Sequence, residues 1–311
     1  MATLADVAAL AGCSKSTVSR ALARPEMVAP ETVARVAAAV AELDFVPNRT
    51  ASQLARGRTG LAAFVVPTLE NAFFAPIIGG AQARAAESDL HLTVAVQALE
   101  TPADVARLGI LAAQVDGMIL AAPRGSDAQI LAAGALKPTV LVDREIAGTV
   151  SVIADTATAV GTVVAGLAAR GHTHIAYLGG PSGSWQDPMR EAAARAAADA
   201  AGARLTVLGP FPATFAAGIS AVDAVVAAGC TAVVPYATAI GLGLMLGLRG
   251  RDIVIMTEGR VAEALGTHDV PDIVVDGEQL GRVAMNLLLA TVRGEHVPAG
   301  RRLPVEVRWS A

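Results

Sequence analysis

Apolar residues recur every three to four positions over the first 45 residues, which predicts short amphipathic helices. Thr3 is a candidate N-cap for a first helix that ends at Gly12. Ser14 precedes a second helix, and Pro30, a favoured first-turn residue, begins a third. The residues predicted to face inward are Leu4, Val7, Ala8, Ala11, Val18, Leu22, Val33, Val36, Val40 and Leu43. An all-helical unit is therefore expected at this end of the chain.

The second of these helices is polar where it begins and again one turn later, at Lys15, Ser16 and Arg20. Two short helices joined by a tight turn, with a third behind them, form the pattern of a helix-turn-helix DNA reader. The three polar side chains occupy positions from which base edges can be reached. The alternative interpretation is a small helical bundle that binds no DNA.

From residue 60 onward, short β-branched runs alternate with Ala-rich helical stretches, which predicts parallel sheets covered by helices. The first group of predicted strands covers 61–66, 92–96, 117–121 and 139–143. The pattern then restarts, with predicted strands at 174–180, 204–209, 230–235, 252–256 and 272–276. The fold class expected is therefore α/β: a helical headpiece followed by two doubly wound lobes. Ligands of such sheets bind beyond the carboxyl ends of the strands, here between the lobes.

Hydrophobic residues make up 53% of the 311 residues, and the mean hydropathy of +0.51 raises the question of a membrane span. Residues 224–248 carry no charge and are long enough to cross a bilayer. Gly229, Pro235 and Gly241 interrupt this stretch, so a helix end, a strand and a new helix are expected instead. The N-terminus does not resemble an export signal. A cytoplasmic protein without a membrane partner is predicted.

Charge is distributed unevenly along the chain. The whole chain carries 24 basic and 28 acidic residues, a formal net charge of −4. Residues 1–60 hold seven basic and five acidic side chains, a net charge of +2, so the remainder carries −6. Contact with a polyanion is therefore expected only locally, at the N-terminal unit.

Two motifs, TLADVAALAGCSKSTVSRAL at 3–22 and AELDFVPNRTASQLARG at 41–57, precede the two-lobed remainder. In this order and spacing the chain resembles the lactose-repressor (LacI/GalR) family of bacterial transcription regulators. The resemblance implies a helix-turn-helix domain at 1–46, a hinge helix and linker at 47–59, and an effector-binding and dimerisation domain at 60–311. It also implies a homodimeric repressor of a palindromic DNA operator, controlled by a small polar effector such as a sugar or related metabolite.

The same resemblance assigns roles in DNA binding. The residues that match base-contacting positions are Lys15, Ser16 and Arg20, and those that match backbone-contacting positions are Thr17, Ser19, Asn48 and Arg49. Leu54 matches a hinge residue that wedges between base pairs in the minor groove. Alternatives remain open: Thr17 and Ser19 as capping or packing residues, and Leu54 as a buried helix residue.

Six residues match the effector pocket of the family: Asn71, Phe73, Asp143, Trp185, Arg190 and Glu258. For Arg190 the alternative is a surface salt bridge, and the neighbouring Phe74 is either a pocket or a core residue. An aromatic platform is assigned to Phe211 or Phe215 without a choice between them. Ala237 and Thr238 stand where the family has an amide and a carboxylate, so either the effector is unusual or effector control is lost.

Catalytic and metal chemistry find little support in the sequence. Cys13 and Cys230 match no metal or redox spacing, and His172 and His174 lack further ligands. No cofactor, no metal and no enzymatic activity are therefore expected. The competing class is a stand-alone binding protein with the same two lobes, against which the helix-turn-helix pattern counts.

Overall fold

The computed structural model describes residues 2–45, 58–259 and 261–310. Its contacts divide the chain into two compact units, Met1–Gly60 and Leu61–Ala311. The predicted hinge residues Asn48, Arg49 and Leu54 lie outside the described residues.

The first unit is helical, as expected. Its helices are α1 (Leu4–Leu10), α2 (Lys15–Ala23) and α3 (Pro30–Glu42), with a single 3-10 turn at Pro25–Met27 between the last two. Thr3 and Asp6 cap α1 reciprocally, because each side chain accepts a hydrogen bond from the backbone N–H of the other. Gly12 adopts a φ of +61° in the turn that follows, a conformation that glycine reaches without steric cost.

The core of this unit consists of small and branched apolar residues from all three helices. Its buried members are Val7, Ala8, Ala11, Val18, Ala21, Val36 and Ala39. The prediction that Leu22 faces inward is wrong, since 37% of this residue is exposed. Val18 and Ala21 fill the inward face of α2, and Leu22 lies about 100° further around the helix, at its margin.

The second unit contains thirteen described strands and ten described helices. The strands are β1 (Leu61–Val66), β2 (His91–Val96), β3 (Gly117–Ala121), β4 (Thr139–Val142), β5 (Ser151–Ala154), β6 (His174–Leu178), β7 (Arg204–Leu208), β8 (Ala232–Pro235), β9 (Val254–Ile255), β10 (Thr257–Glu258), β11 (Pro271–Val274), β12 (Arg301–Leu303) and β13 (Glu306–Trp309). The helices are α4 (Phe74–Ala86), α5 (Pro102–Ala112), α6 (Asp127–Gly134), α7 (Thr156–Ala169), α8 (Gln186–Ala200), α9 (Phe215–Ser220), α10 (Val222–Ala228), α11 (Thr238–Gly247), α12 (Val261–Leu265) and α13 (Gly277–Val292).

Two parallel sheets confirm the predicted pair of lobes. The first has the strand order β12-β5-β4-β3-β1-β2, and the second has the order β7-β6-β8-β9. A third, three-stranded sheet, β10-β11-β13, adds an antiparallel pair, β11 with β13, which the sequence analysis did not foresee. The predicted strand 252–256 is split, because β9 pairs with β8 whereas β10 turns to pair with β11.

The chain crosses between the lobes three times, after β5, after β11 and after β12. The strand pattern by itself suggested two consecutive halves. Instead, α13 and β12 return to the first lobe, where α13 packs against α4 through Ile77, Ala81, Leu280 and Ala284. Two residues near the C-terminus, Val307 and Trp309, pack on the core of the second lobe. The lobes are therefore joined by three short connections.

No described helix is long and apolar enough to cross a membrane. Within the charge-free stretch 224–248, α10 ends at Ala228, β8 follows, and α11 begins at Thr238. This is the interrupted pattern that the glycines and the proline predicted.

Glycines allow α4 and α13 to approach closely. A Cβ atom on Gly80 would lie 2.0 Å from the carbonyl oxygen of Glu278, and one on Gly281 would lie 1.9 Å from that of Ile77. Both obstructing atoms belong to backbone, so a side chain could be accommodated only if the helices moved apart. By contrast, a Cβ atom on Gly79, on the exposed face of α4, would meet nothing within 4 Å.

These environments predict opposite effects for the same substitution at adjacent positions. We expect Gly80→Ala to lower the free energy of unfolding by about 1–3 kcal/mol, because the helices must separate. Gly79→Ala should raise it by about 0.5–1 kcal/mol, because alanine favours the helix. Urea unfolding of the two variants measures both changes. Equal effects would contradict the close helix contact.

Candidate functional site

The exposed face of α2 carries four of the predicted DNA-contacting residues. Lys15, Ser16, Ser19 and Arg20 are exposed, while Val18 is fully buried and anchors the helix to the core. No ion pair is recorded for Lys15 or Arg20 among the described residues, so both cations face solvent. Exposed donors at the start of a helix and one turn later can reach the edges of bases in a major groove.

Hydroxyl groups hold the start of this helix. Ser14 Oγ accepts a hydrogen bond from the backbone N–H of Thr17 at 3.1 Å and lies 2.8 Å from Thr17 Oγ1 and 2.7 Å from Ser16 Oγ. Thr17 is half-buried and takes part in this capping cluster, as its structural alternative supposed. Ser19 is exposed and takes no part in the cap.

A cleft lies between the two lobes of the second unit, at the carboxyl ends of the strands. Its main cavity, which we call the outer chamber, has a volume of about 590 Å³. The first lobe lines it with Glu70, Asn71, Phe74, Glu100, Arg124 and Asp143, and the second lobe with Ser184, Trp185, Gln186, Phe211, Thr214 and Tyr236. Such a volume accommodates a small metabolite.

Two smaller cavities adjoin the predicted pocket residues. The recess, of about 30 Å³, is lined by Asn71, Phe73, Phe74, Asp143, Arg190 and Glu258, together with Ala122, Gln186, Tyr236 and Ala237. The side cavity, of about 240 Å³, is mostly apolar and includes Phe73, Pro76, Thr238, Glu258 and Ile273. The recess shares Asn71, Phe74, Ala122, Asp143, Gln186 and Tyr236 with the outer chamber.

Asp143 directly follows β4 and is buried, with a φ of +53° that turns the chain at the strand end. Its Oδ1 accepts hydrogen bonds from the backbone N–H of Ala154 at 2.9 Å and from Gln186 Nε2 at 3.1 Å. Because Gln186 belongs to α8, the second bond joins the two lobes. Burial raises the pKa of Asp143 to about 6, although these bonds and the nearby Arg190 oppose the rise.

Arg190 lies one helical turn after Gln186 on α8 and is buried, so it is not the surface residue of the alternative interpretation. Its Nε donates to Thr156 Oγ1 at 2.8 Å, and its Nη1 donates to the carbonyl oxygen of Tyr236 at 2.7 Å. The guanidinium carbon lies 4.7 Å from the centre of the Tyr236 ring. The guanidinium is therefore held by protein groups without a ligand.

Glu258, at the end of β10, completes the buried cluster. Its Oε1 lies 3.9 Å from Arg190 Nη1, which is an ion pair but not a hydrogen bond. Thr238 Oγ1 donates to Oε2 at 2.9 Å, whereas Oε1 is buried and accepts no hydrogen bond. Burial raises the pKa of Glu258 above its usual value. Thr238 therefore still makes a polar contact in the cleft, although it stands where the family has a carboxylate.

All six predicted pocket residues line these cavities, but they fall into different parts of the cleft. Asn71, Asp143 and Trp185 line the outer chamber, whereas Phe73, Arg190 and Glu258 lie at the recess. Phe74 is buried in the core of the first lobe and also lines the cavities. Of the two candidate platforms, Phe211 lines the outer chamber and Phe215 does not.

Gln186, Thr156 and Tyr236 are functional candidates that the sequence analysis missed. Thr156 Oγ1 lies 3.4 Å from Gln186 Oε1 and accepts from Arg190 Nε, so Gln186, Thr156 and Arg190 form one chain of hydrogen bonds. Tyr236 joins it through its backbone carbonyl, which accepts from Arg190 Nη1. The spacing of Gln186 and Arg190, four residues apart on one helix, was a usable signal because such residues share a face. Tyr236 follows β8, but no pattern distinguished it.

The histidines lie away from the cleft, at the amino-terminal end of the sheet. His172 Nδ1 lies 2.9 Å from Thr231 Oγ1, and His174 Nε2 lies 2.8 Å from Thr206 Oγ1. Within the described part of the chain, no group of three or more His, Cys, Asp or Glu residues could hold a metal ion. Cys13 and Cys230 are free thiols, the second of them buried.

Two family models match the chain. The model for bacterial regulatory proteins of the lacI family matches residues 3–48, and the model for periplasmic binding proteins and the sugar binding domain of the LacI family matches residues 59–289. Together they cover both the exposed helix and the cleft.

Individual relatives agree with these models. The chain is 27% identical to the HTH-type transcriptional regulator GntR of Escherichia coli K12, over 94% of this chain and 93% of that protein. Other curated relatives match over 36% to 63% of their own length.

Solved structures match along nearly the whole chain. A lac repressor dimer bound to operator and the anti-inducer ONPF has a TM-score of 0.83 and 25% identity, covering 98% of this chain and 97% of that one. A complex of the transcriptional regulator CelR with cellobiose has a TM-score of 0.68 and 27% identity, covering 99% and 98%.

The raised pKa of Asp143 predicts how stability depends on pH. A carboxyl group whose pKa is higher in the folded state binds its proton more tightly there, so the free energy of unfolding falls as the pH rises through about 6. The amide introduced by Asp143→Asn does not titrate, yet it retains an acceptor oxygen for Ala154 and Gln186. We expect wild type to lose about 2 kcal/mol relative to Asp143→Asn between pH 4.5 and 7.5.

Urea unfolding at these two pH values measures the difference. Asp199→Asn, on the exposed face of α8, serves as the control and should change little relative to wild type. A pH-independent gap between wild type and Asp143→Asn would show that the folded protein does not raise this pKa.

Proposed function

Because the chain belongs to the LacI family of bacterial regulatory proteins, a family of DNA-binding transcriptional regulators, we propose that it represses transcription from a palindromic operator. The supporting observation is the exposed polar face of α2, which lies within the region matched by the lacI-family model. One such helix contacts few base pairs, whereas a symmetric dimer doubles the contacts on a two-fold site. The lac repressor structure is likewise a dimer on its operator.

We assign residues 1–46 to DNA reading, 47–59 to the hinge and 60–311 to effector binding and dimerisation. Lys15, Ser16 and Arg20 contact bases, with Lys15 and Arg20 suited to guanine O6 and N7. The residues assigned to the sugar-phosphate backbone are Thr17, Ser19, Asn48 and Arg49. Leu54 is assigned to the minor-groove wedge, which kinks the duplex at its centre.

A small polar effector binds in the outer chamber and changes the closure of the two lobes. Asn71, Asp143 and Trp185 contact it directly, and Phe73, Arg190 and Glu258 shape the inner end of the site. The hydrogen bond between Asp143 and Gln186 joins the lobes, so a ligand that competes for Asp143 alters closure. Thermodynamic linkage requires that operator binding change effector affinity by the same factor.

The operator is found by selecting duplexes from a random DNA pool with the purified protein at near-physiological salt. Enrichment of a palindrome with a deformable central step supports the dimeric repressor. Failure to enrich any sequence, with or without candidate metabolites, would reject sequence-specific reading and favour a stand-alone binding protein.

Replacing Arg20 tests base reading on the selected duplex. We expect Arg20→Ala to weaken binding to that duplex by about 1–3 kcal/mol and to change binding to random DNA far less, because a base contact carries sequence information. Arg35→Ala, which removes an equally exposed cation from α3, is the matched control. Fluorescence anisotropy at fixed salt measures all four affinities. Equal losses by Arg20→Ala on both DNAs would reject the base contact.

Trp185 offers a direct signal of effector binding, because the chain has two tryptophans and the other, Trp309, lies on the core of the second lobe. In a Trp309→Phe protein, we expect an effector to change the Trp185 emission and the operator affinity with the same half-saturating concentration. A panel of hexoses, disaccharides, amino sugars and sugar phosphates supplies the candidates. Operator release without an emission change would place the effector elsewhere.

A further inference from the structure

The inner end of the cleft indicates the chemistry of the ligand. We propose that the effector carries a protonated amine, which occupies the recess between Asp143 and Glu258 while the rest of the molecule lies in the outer chamber. This inference rests on the proposed function, because it takes the cleft as the effector site.

The recess has the size of a single small group. Its volume of about 30 Å³ corresponds to the space of one water molecule, and an ammonium group is of similar size. Because it shares Asn71, Phe74, Asp143 and Tyr236 with the outer chamber, a ligand in the chamber can extend one substituent into it.

The cations of the cleft are already engaged. Arg190 donates to Thr156 and to the Tyr236 carbonyl and pairs with Glu258. Arg124 Nη1 lies 3.4 Å from Glu100 Oε1. Each of these two cations of the described lining therefore already faces a carboxylate. The Arg190–Glu258 pair is buried, so an anion that displaced Glu258 would leave a buried carboxylate without its cation, which is costly.

Acceptor oxygens, in contrast, are available. Glu258 is nine-tenths buried, and its Oε1 accepts no hydrogen bond. Both hydrogen bonds that Asp143 accepts go to Oδ1. A buried acceptor without a donor costs roughly 1–3 kcal/mol, so a donor that enters the recess recovers this free energy. An ammonium group has three donors and no acceptor.

Charge distinguishes the ammonium from a hydroxyl group. When Asp143 and Glu258 are both ionised, they and Arg190 carry a net charge of −1; burial opposes this state by raising the pKa of both carboxyl groups, and a bound ammonium would favour it. A sugar hydroxyl donates a hydrogen bond without neutralising that charge, whereas an ammonium does both. Phe73 and Phe74 also line the recess, and aromatic faces attract cations but not anions.

Methylammonium chloride is the probe, because methylammonium is small enough for the recess and needs no knowledge of the full effector. We expect it to raise the thermal midpoint of the full-length protein by about 2–5 °C at ten times its dissociation constant. Tetramethylammonium chloride and sodium chloride at the same concentration control for ionic strength, and the former is too large for the recess. Sodium acetate tests the anion.

Three variants distinguish binding of methylammonium in the recess from binding elsewhere on the surface. Asp143→Asn and Glu258→Gln each remove one negative charge with little change in shape, and each should weaken methylammonium stabilisation at least fivefold in concentration. Asp199→Asn, an exposed change on α8, should leave it unaltered. If one of the two recess variants fails to fold, the other still supplies the comparison.

The proposal is overturned if methylammonium stabilises no more than sodium or tetramethylammonium, if acetate stabilises more, or if all three variants respond like wild type. Binding of the protein to its selected duplex, with and without methylammonium, is measured in parallel. Intact operator binding in either condition together with a failed methylammonium response rejects the amine alone, whereas loss of sequence-specific binding in both conditions rejects the proposed function.

Discussion

The burial of one guanidinium group determines how the cleft is arranged. A charged group removed from water must be paired and hydrogen-bonded, and Arg190 meets this requirement through Thr156, the Tyr236 carbonyl and Glu258. These partners come from the first crossover of the chain, the end of β8 and the end of β10. Arg190 therefore fixes the first crossover and two strand ends relative to α8, which also carries the residue that bridges to the first lobe, Gln186.

Close helix packing in the first lobe complements this polar cluster. Gly80 and Gly281 allow α4 and α13 to meet at a distance that no side chain would permit. Since α13 is the segment that returns from the second lobe, this contact fixes the crossover where it enters the first lobe. The first lobe thus contains a close apolar helix contact, and a hydrogen bond between Asp143 and Gln186 joins the lobes at the cleft.

The helical unit is held together by apolar packing rather than by a buried polar cluster. Its core is small, formed mainly by alanine and valine, and it leaves one side of α2 to solvent. The buried and the exposed residues lie on opposite faces of the same nine-residue helix. Val18 secures the helix, and Arg20, two residues later, points away from the core. Thr17 is half-buried, and its hydroxyl belongs to the capping cluster at the start of the helix.

Much of the architecture follows from the sequence by itself, because helix caps, glycine turns and apolar periodicity are local. Thr3, Ser14 and Pro30 marked the starts of the three helices, and the alternating runs after residue 60 marked two parallel sheets. The family motifs depend on residue order alone, and the six residues they pointed to line cavities of the cleft. Three features required the tertiary structure: the return of α13 to the first lobe, the splitting of 252–256 between two sheets, and the engagement of Arg190 by its own protein. Each depends on contacts between residues far apart in the chain, whose free energy is set by burial and by the partners that packing supplies, and no local pattern encodes these.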